Sequence, residues 1–238
     1  MKKNFLTAEW KKLAIANYKT DPSVLSSFIP SGTSLDVWNN TCYVSLVGFM
    51  FLNTRVKGIK IPFHINFEEV NLRFYVKHFN GKEWKRGVTF IKEIVPRRMI
   101  TFTANTIYGE KYETMKMDHE WKTGKNEIRV GYRWKKNQWH SFFVTAGPEA
   151  QEIKPGSEEE FITEHYWGYT QTSRNKTSEY EVEHPRWKVY PVRSFEIKAD
   201  FEQVYGKSFS FLNNINPVSV MLAEGSEIKV NKGVKLTL

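Results

Sequence analysis

The sequence predicts a mainly β protein with a few short helices, and three observations indicate this class. Two segments, residues 67–76 and 127–135, alternate polar and apolar side chains with the period of a strand. Strands do not alternate regularly with helices, as they would in a doubly wound sheet. The 238 residues, 40% hydrophobic and 15% aromatic, can fill a sizeable core. With neither a linker nor a repeat, residues 1–238 are interpreted as one domain.

The first half of the chain begins with a short helix and continues with strands. Asp21 followed by Pro22 starts a helix, which must end before Pro30. Runs of β-branched, aromatic and other apolar residues then predict three buried strands. These strands are expected at residues 43–51, 87–95 and 99–104.

The segment 67–76 is the most informative predicted strand because its two faces differ chemically. A period of two places four apolar side chains on one face: Val70, Leu72, Phe74 and Val76. The other face carries Glu69, Asn71, Arg73 and Tyr75. Such a mixed polar face meets bulk water or lines a cleft.

The second half of the chain contains two predicted hairpins, two short helices and a loop. Residues 127–135 pair with 138–145 across Lys136 and Asn137. Ser157 and Glu160 form a capping box, which opens a helix extending to about Tyr166. The remaining predictions are a loop at 171–178, a helix at 200–205 closed by Gly206, and a hairpin of 218–223 with 227–236.

The charge balance favours anionic partners in general. The chain has 35 basic and 26 acidic residues, for a formal net charge of +9. Residues 82–136 contain fourteen Lys or Arg and seven Asp or Glu, which raises the hypothesis of nucleic-acid binding. The basic and acidic residues are interleaved and accompany no nucleic-acid motif, so a solvated basic face is the preferred interpretation.

The compartment is expected to be the cytoplasm. The first residues lack the apolar region of a secretory signal, and no run reaches the ~18 apolar residues of a membrane span. The single cysteine, Cys42, cannot form an internal disulfide. Beside an apolar run it is interpreted as a small buried side chain in preference to a nucleophile.

The common catalytic and cofactor motifs are absent from the sequence. It has no phosphate loop, no Gly-x-Gly-x-x-Gly and no Gly-x-Ser-x-Gly elbow. The six histidines are scattered, with no pair at the spacing of metal ligands. No cofactor and no metal site are therefore predicted.

Six motifs together resemble a known family. In order they are residues 18–25, 29–30, 67–76, 87–90, 108–112 and 183–187. Over residues 5 to 235 the chain resembles the bacterial YqjF-like family of unknown function, which is similar to the acetoacetate decarboxylase-like superfamily. The resemblance implies a cone-shaped, mostly antiparallel β-barrel around a small-molecule cavity, with the Glu69 face directed into that cavity.

The same resemblance bears on one lysine. The decarboxylase carries its catalytic lysine in a Gly-aromatic-Pro-Lys-Lys motif, where a neighbouring ammonium and an apolar pocket lower the pKa of the amine that forms a Schiff base. The nearest segment here is Tyr108-Gly109-Glu110-Lys111-Tyr112, which has one lysine. A carboxylate at Glu110 would raise the pKa of Lys111, against a nucleophilic role.

The candidate site residues are Glu69 and Lys111 for chemistry and Asn71, Arg73, Tyr108, Tyr112 and His184 for ligand binding. Glu69 would act as a general base or hold a ligand hydroxyl. Arg73 lies about 13 Å from it along the strand, so a buried Arg73 needs another carboxylate or an anionic ligand. The alternative for each residue is structural: a solvated charge, a core aromatic ring or, for His184 before Pro185, a turn.

Three functions remain open from the sequence. The first is binding of a small anionic organic ligand in a cavity containing Glu69, Asn71 and Arg73. The second is a lyase or hydrolase acting on a small oxo acid through Lys111 or Glu69. The third is nucleic-acid binding through the basic strands. No membrane partner is expected, and the sequence does not define whether the protein is a homo-oligomer.

Overall fold

The structure, a computed structural model, describes the backbone of residues 4–237 and all side chains in that range except those of residues 107, 108 and 237. The strands are β1 Asn4–Lys19, β2 Ser34–Leu35, β3 Tyr43–Val56, β4 Phe67–Phe79, β5 Trp84–Val95, β6 Tyr112–Thr114, β7 Lys116–Thr123, β8 Ile128–Lys135, β9 Trp139–Ala146, β10 Gln151–Glu152, β11 Trp167–Ser173, β12 Lys176–Glu183, β13 Lys188–Tyr190, β14 Val192–Lys198, β15 Ser219–Asn231 and β16 Val234–Thr237. The helices are α1 Pro22–Leu25, α2 Arg98–Tyr108, α3 Glu158–Thr163 and α4 Phe201–Tyr205, with 3₁₀ turns at Ser26–Phe28 and Lys207–Asn214. The mainly β class is confirmed.

Seven strands form a ring. Their order is β15, β1, β3, β4, β5, β11 and β12, and β12 pairs with β15 again through Val182 opposite Val230. All of these pairs are antiparallel except β5 with β11. The ring-like, mostly antiparallel arrangement agrees with the barrel that the family resemblance implies.

A second sheet, of order β14, β9, β8 and β7, covers the outside of the ring at β1, β3 and β4. The apolar faces of β4 and β8 share one core, in which Leu72 and Phe74 lie with Val130, Tyr132 and Trp134. Gly48 on β3 makes room for this layer, because a Cβ there would lie 2.7 Å from the ring of Tyr132. The alternation of both strands is therefore explained by packing between two layers.

Several local predictions are confirmed. The Asp21 side chain accepts a hydrogen bond from the Ser23 amide at the start of α1, and Asp200 caps α4 by accepting from the Gln203 amide. The hairpin of β8 and β9 forms as predicted. Helix α3 has Ser157 as its N-cap but ends at Thr163, before Tyr166, and the Glu160 carboxylate accepts from the Gly156 amide.

The predicted strand at residues 99–104 is wrong, since this segment lies within α2. Ile100, Thr103 and Ala104 line the internal cavity, and their spacing of three and four residues is that of a helix face. Met99 and Phe102 are exposed, so the apolar run reflects a helix with apolar residues on two sides. A short apolar run of this composition occurs both in buried strands and in such helices, so composition alone does not distinguish them.

The predicted C-terminal hairpin is also wrong, because β15 continues through residues 224–226 and pairs with β1. Gly225 has φ 78°, and a Cβ there would lie 2.0 Å from the carbonyl oxygen of Trp10. This glycine permits a close approach between two strands and does not mark a turn.

The predicted loop at residues 171–178 is likewise wrong, since it forms the ends of β11 and β12 around a tight turn. The polar character of the segment fits strand ends next to solvent as well as it fits a loop. Within residues 4–237, no helix combines the length and apolar character needed to cross a membrane.

Replacing Ile94 by Ala tests the packing between the two layers. Ile94 is fully buried in their shared core, and removing its outer atoms should lower the free energy of unfolding by about 2–5 kcal/mol. Ile215→Ala is the matched control, because Ile215 is 42% exposed. Urea unfolding of both variants measures the difference, and equal losses would contradict the two-layer core.

Candidate functional site

The inside of the ring contains a cavity of about 310 Å³. Its walls are mainly apolar and aromatic, including Trp10, Phe49, Phe51, Phe90 and Trp167. A minority of the lining residues carry hydrogen-bonding or ionisable groups: Thr54, His64, Glu69, Asn71, Arg73, Glu93, Thr103, Glu110, Tyr112, His165 and Tyr180. An apolar pocket with a few convergent polar groups is the usual form of a small-molecule site.

Strand β4 supplies the first part of this polar group, as the sequence predicts. Its apolar face is held against the outer sheet, so Glu69, Asn71 and Arg73 face the cavity. Their side chains are 2%, 1% and 8% exposed. The fourth residue of that face, Tyr75, donates or accepts a hydrogen bond with the Ser45 hydroxyl and lies in the inner core.

A β-bulge in β5 brings in Glu93, a residue that the sequence analysis missed. The register with β4 shifts between Leu72 and Arg73, so Arg73 lies opposite Phe90 while Leu72 lies opposite Lys92. The extra residue reverses the alternation, and Phe90 and Glu93 therefore both face the cavity. Glu93 lies directly across from Asn71.

The segment after α2 contributes a third carboxyl group and a tyrosine. Gly109 ends the helix in the left-handed conformation, with φ 70°. Glu110 then enters the cavity, and Tyr112 on β6 lies beside Glu93 in the parallel pairing of β5 and β6. Asn71, Glu93 and Tyr112 thus form a row across three adjacent strands.

Glu69 is held by two hydrogen bonds. Its Oε1 accepts from Asn71 Nδ2 at 3.0 Å, and its Oε2 accepts from the Tyr112 hydroxyl at 3.1 Å. Burial raises the pKa of Glu69 to about 7, although these two bonds and Arg73 oppose the rise. Glu69 is therefore poised to gain or lose a proton near neutral pH.

The surroundings of Glu93 and Glu110 also favour their protonated forms. Burial raises the pKa of both, and repulsion from Glu110 and Glu69 raises that of Glu93 further. Oε2 of Glu93 and Oε1 of Glu110 have no hydrogen-bond partner among the described residues. Three neighbouring buried carboxyl groups cannot all ionise, so the cluster retains protons at neutral pH.

Arg73 is buried without a carboxylate partner. Its Nε has no hydrogen-bond partner in the described part of the chain, and no ion pair joins it to a described residue. Its guanidinium lies over the ring of Tyr75, 5.7 Å from Cζ to the centroid. A buried arginine is normally paired, so this group has the character of an anion-binding group.

His165, in the connection between α3 and β11, joins the cavity wall to a buried ion network. Its Nε2 lies 3.1 Å from Asp36 Oδ2, and the same oxygen accepts from Arg86 Nε at 2.6 Å. Burial lowers the pKa of His165 to about 4, so the ring is neutral near pH 7. With Nε2–H donating to Asp36, Nδ1 is an acceptor, and it has no partner among the described residues.

Two other predicted site residues, Lys111 and His184, lie outside the lining of this cavity. Lys111 is exposed, with Nζ 5.5 Å from the ring centroid of Phe28, and burial of part of the side chain lowers its pKa although Glu110 acts to raise it. His184 lines a separate surface groove and stacks on Trp187 at 4.3 Å. The side chain of Tyr108 lies outside the described residues. The roles predicted for these three residues stay predictions.

Two further observations concern reactive and metal-binding groups. Cys42 is buried, and burial raises the pKa of its thiol to about 11. Within residues 4–237, no group of three or more His, Cys, Asp or Glu side chains is placed to hold a metal ion.

Sequence comparison identifies the family. A family model described as an uncharacterized conserved protein, DUF2071, matches residues 7–227. The chain belongs to this family. It is 28% identical over 183 residues to the uncharacterized protein YqjF of Bacillus subtilis (strain 168), covering 75% of this chain and 72% of YqjF.

This chain shares its fold with solved structures of enzymes. The enduracididine biosynthesis enzyme MppR with bound HEPES superposes with a TM-score of 0.70 at 11% identity, covering 100% of this chain and 89% of MppR. An acetoacetate decarboxylase-like enzyme from Sphingomonas wittichii RW1 gives 0.67 at 10% identity, covering 98% and 94%. The acetoacetate decarboxylase-like fold is thereby confirmed.

The raised pKa of Glu69 should make wild-type stability fall as pH rises. Between the unfolded pKa of about 4.3 and the native value of about 7, the native state binds more protons than the unfolded state. Glu69→Gln removes this penalty, so the variant should gain stability relative to wild type from pH 5 to pH 8 and level off above that. Chemical denaturation across this range measures the difference.

Comparing variant with wild type also removes the opposing contribution of His165, whose lowered pKa makes stability rise with pH between about 4 and 6.5. Exposed Glu127→Gln is the control and should keep the wild-type pH dependence. If the stability of Glu69→Gln changes with pH in the same way as that of the wild type, the pKa of Glu69 is not raised in the native state.

Proposed function

We propose that this protein binds a small organic anion in the ring cavity, with the anionic group on Arg73. The observation that carries the proposal is a guanidinium that is 8% exposed, faces the cavity and has no acidic partner among the described residues. A carboxylate ligand would supply the missing acceptor through two parallel N–H···O bonds. His165, neutral and fixed by Asp36, lies on the same wall.

The cavity also defines the rest of the ligand. A volume of about 310 Å³ is at the lower end of the usual range for small-molecule sites, roughly 300–1,000 Å³. The aromatic walls favour a short apolar body behind the anionic group. A small carboxylic acid with an aliphatic chain fits both requirements.

One structural neighbour supports this class of ligand. MppR has also been solved in complex with pyruvate, and that structure superposes with a TM-score of 0.67 at 10% identity. A small oxo acid is therefore accommodated by a protein of the same fold. At this identity the neighbour supports the size and charge of the ligand and not a particular compound.

A second candidate function is catalysis on a small oxo acid, as a lyase or a hydrolase. The observation favouring it is Glu69, a carboxyl group whose pKa of about 7 suits a general acid or base, on the same strand face as Arg73. Schiff-base chemistry at Lys111 has less support, because the described residues that line the cavity include no lysine.

Nucleic-acid binding has the least support. On the outer sheet Arg133 pairs with Asp118, and both Lys122 and Arg129 pair with Glu120. Acidic neighbours therefore offset part of the basic charge on this sheet, which weakens the electrostatic attraction for a phosphate backbone.

Ligand-dependent melting tests the role of Arg73. Pyruvate, acetoacetate and butanoate at saturating concentration should raise the melting temperature of the wild type, because a ligand that binds only the native state stabilises it. Arg73→Gln should lose at least tenfold in affinity for each binding acid. Its own melting temperature should not fall in the absence of ligand, since it removes an unpaired buried charge.

Arg129→Gln is the control, because Arg129 is a partly exposed arginine of the outer sheet, and it should keep wild-type affinity. If no acid stabilises the wild type, or if Arg73→Gln binds as well as Arg129→Gln does, anion binding at Arg73 is refuted.

Trapping with borohydride separates binding from Schiff-base catalysis. Borohydride with acetoacetate or pyruvate should leave the chain unmodified by intact mass, since the lysines lie outside the described cavity lining. A stable adduct on Lys111 that is lost in Lys111→Arg would instead establish an imine and the enzyme function.

A further inference from the structure

We propose that the ligand of this cavity is a zwitterion, a short ω-amino acid whose carboxylate binds Arg73 and whose cationic nitrogen lies among Glu69, Glu93 and Glu110. The inference rests on the proposed function, since it identifies the class of acid that Arg73 binds. It assigns a second binding subsite to the carboxyl cluster.

The cluster is built by the fold from separate elements. Glu69 comes from β4, Glu93 from the bulged part of β5 and Glu110 from the segment that follows α2. All three line the same cavity and are at most 9% exposed. Buried carboxyl groups from three separate elements therefore line one cavity.

Asn71 independently shows what this end of the cavity lacks. Its Nδ2 donates to Glu69, while its Oδ1 has no partner, although the residue is only 1% exposed. Oε2 of Glu93, directly across from Asn71, and Oε1 of Glu110 are also without partners among the described residues. Asn71 Oδ1 is an acceptor, and the two carboxyl oxygens become acceptors when their groups ionise. A ligand group with several N–H bonds would therefore satisfy Asn71 directly and the carboxyl groups in their ionised form.

The charge balance of the cavity favours a cation over a neutral donor. Three carboxyl groups and one arginine line the cavity, and the other titratable lining groups are His64, His165, Tyr112 and Tyr180. Burial holds His165 neutral and raises the pKa of both tyrosines well above their usual range. Arg73 acts on Glu69 and Lys111 acts on Glu110, yet the pKa of both carboxyl groups stays raised. An ammonium group would add the positive charge that the ionised cluster needs.

The spacing along β4 gives the length of the ligand. Arg73 lies two residues from Asn71, which is about 7 Å along a strand, and four residues from Glu69, which is about 13 Å. The carboxylate and the amine of an α-amino acid are too close to span this interval. A chain of several methylene groups extends the amine further toward the Asn71 position than an α-amino acid can, and the aromatic walls cover the chain.

Binding of such a ligand should release protons. Without ligand the cluster retains protons, because burial and mutual repulsion raise the pKa of its carboxyl groups. An ammonium group favours the ionised carboxylates, so the displaced protons pass to the buffer. A hydroxyl or oxo group accepting from a protonated carboxyl would leave those protons in place.

Titration calorimetry at pH 7 tests the proposal on the wild-type protein with matched probes. The probes are ω-amino acids of four to six carbons and the ω-hydroxy acids of equal length, each titrated in phosphate and in Tris. The best amino acid should bind at least tenfold more tightly than its hydroxy counterpart. Its apparent enthalpy should differ between buffers by an amount that corresponds to release of about one proton.

Glu93→Gln serves as the variant, because it keeps the shape of the side chain. It should reduce the preference for the amino acid at least fivefold while leaving the affinity of the hydroxy acid within about twofold. Glu127→Gln, an exposed control, should change neither. Melting curves without ligand establish that each variant is folded.

The outcomes separate this inference from the function on which it rests. If both classes of acid bind through Arg73 with equal affinity and no proton release, anion binding stands and the cationic subsite is refuted. If neither these acids nor pyruvate, acetoacetate or butanoate binds, the proposed function fails, and the zwitterion proposal fails with it. If only the latter three bind, anion binding stands and the zwitterion proposal is refuted.

Discussion

The burial of β4 on both faces is the constraint on which the rest of the structure depends. Leu72 and Phe74 pack against the outer sheet, which fixes the register and the rotation of the strand. A slip of one residue would place Glu69 and Arg73 in that apolar layer, at a cost of several kcal/mol for each unpaired charge. The outer sheet, which contributes nothing to the cavity lining among the described residues, therefore keeps the polar face directed inward.

This arrangement buries ionisable groups that contribute little to the stability of the folded protein. Arg73 has no acidic partner among the described residues, and Glu93 is held protonated by burial and by repulsion from its neighbours. Such groups destabilise the unliganded protein, and a well-packed core must offset that cost. Buried ionisable groups that lack partners and line one cavity are the physical basis for proposing that the cavity binds a ligand.

The sequence predicted those parts of the site that obey a regular period. Glu69, Asn71 and Arg73 were recognised because β4 is regular through them. Glu93 was not, because a bulge reverses the alternation of β5, and no residue type in that strand marks the extra position. Glu110 follows a helix that the sequence analysis interpreted as a strand, and Tyr180 lies on a strand whose start was interpreted as a loop. Neither side chain could therefore be assigned to the cavity from the sequence.

The segment after α2 explains how a shared fold can carry a different site. Glu110 and Tyr112 line the cavity, whereas Lys111 between them is exposed, as alternation of an extended chain requires. A lysine at this position can therefore enter the cavity only if both of its neighbours leave it. The hydrogen bond from Tyr112 to Glu69 and the pairing of β6 with β5 oppose that exchange. The part of the cavity wall that a lysine amine would have to occupy is therefore formed by Glu110 and Tyr112.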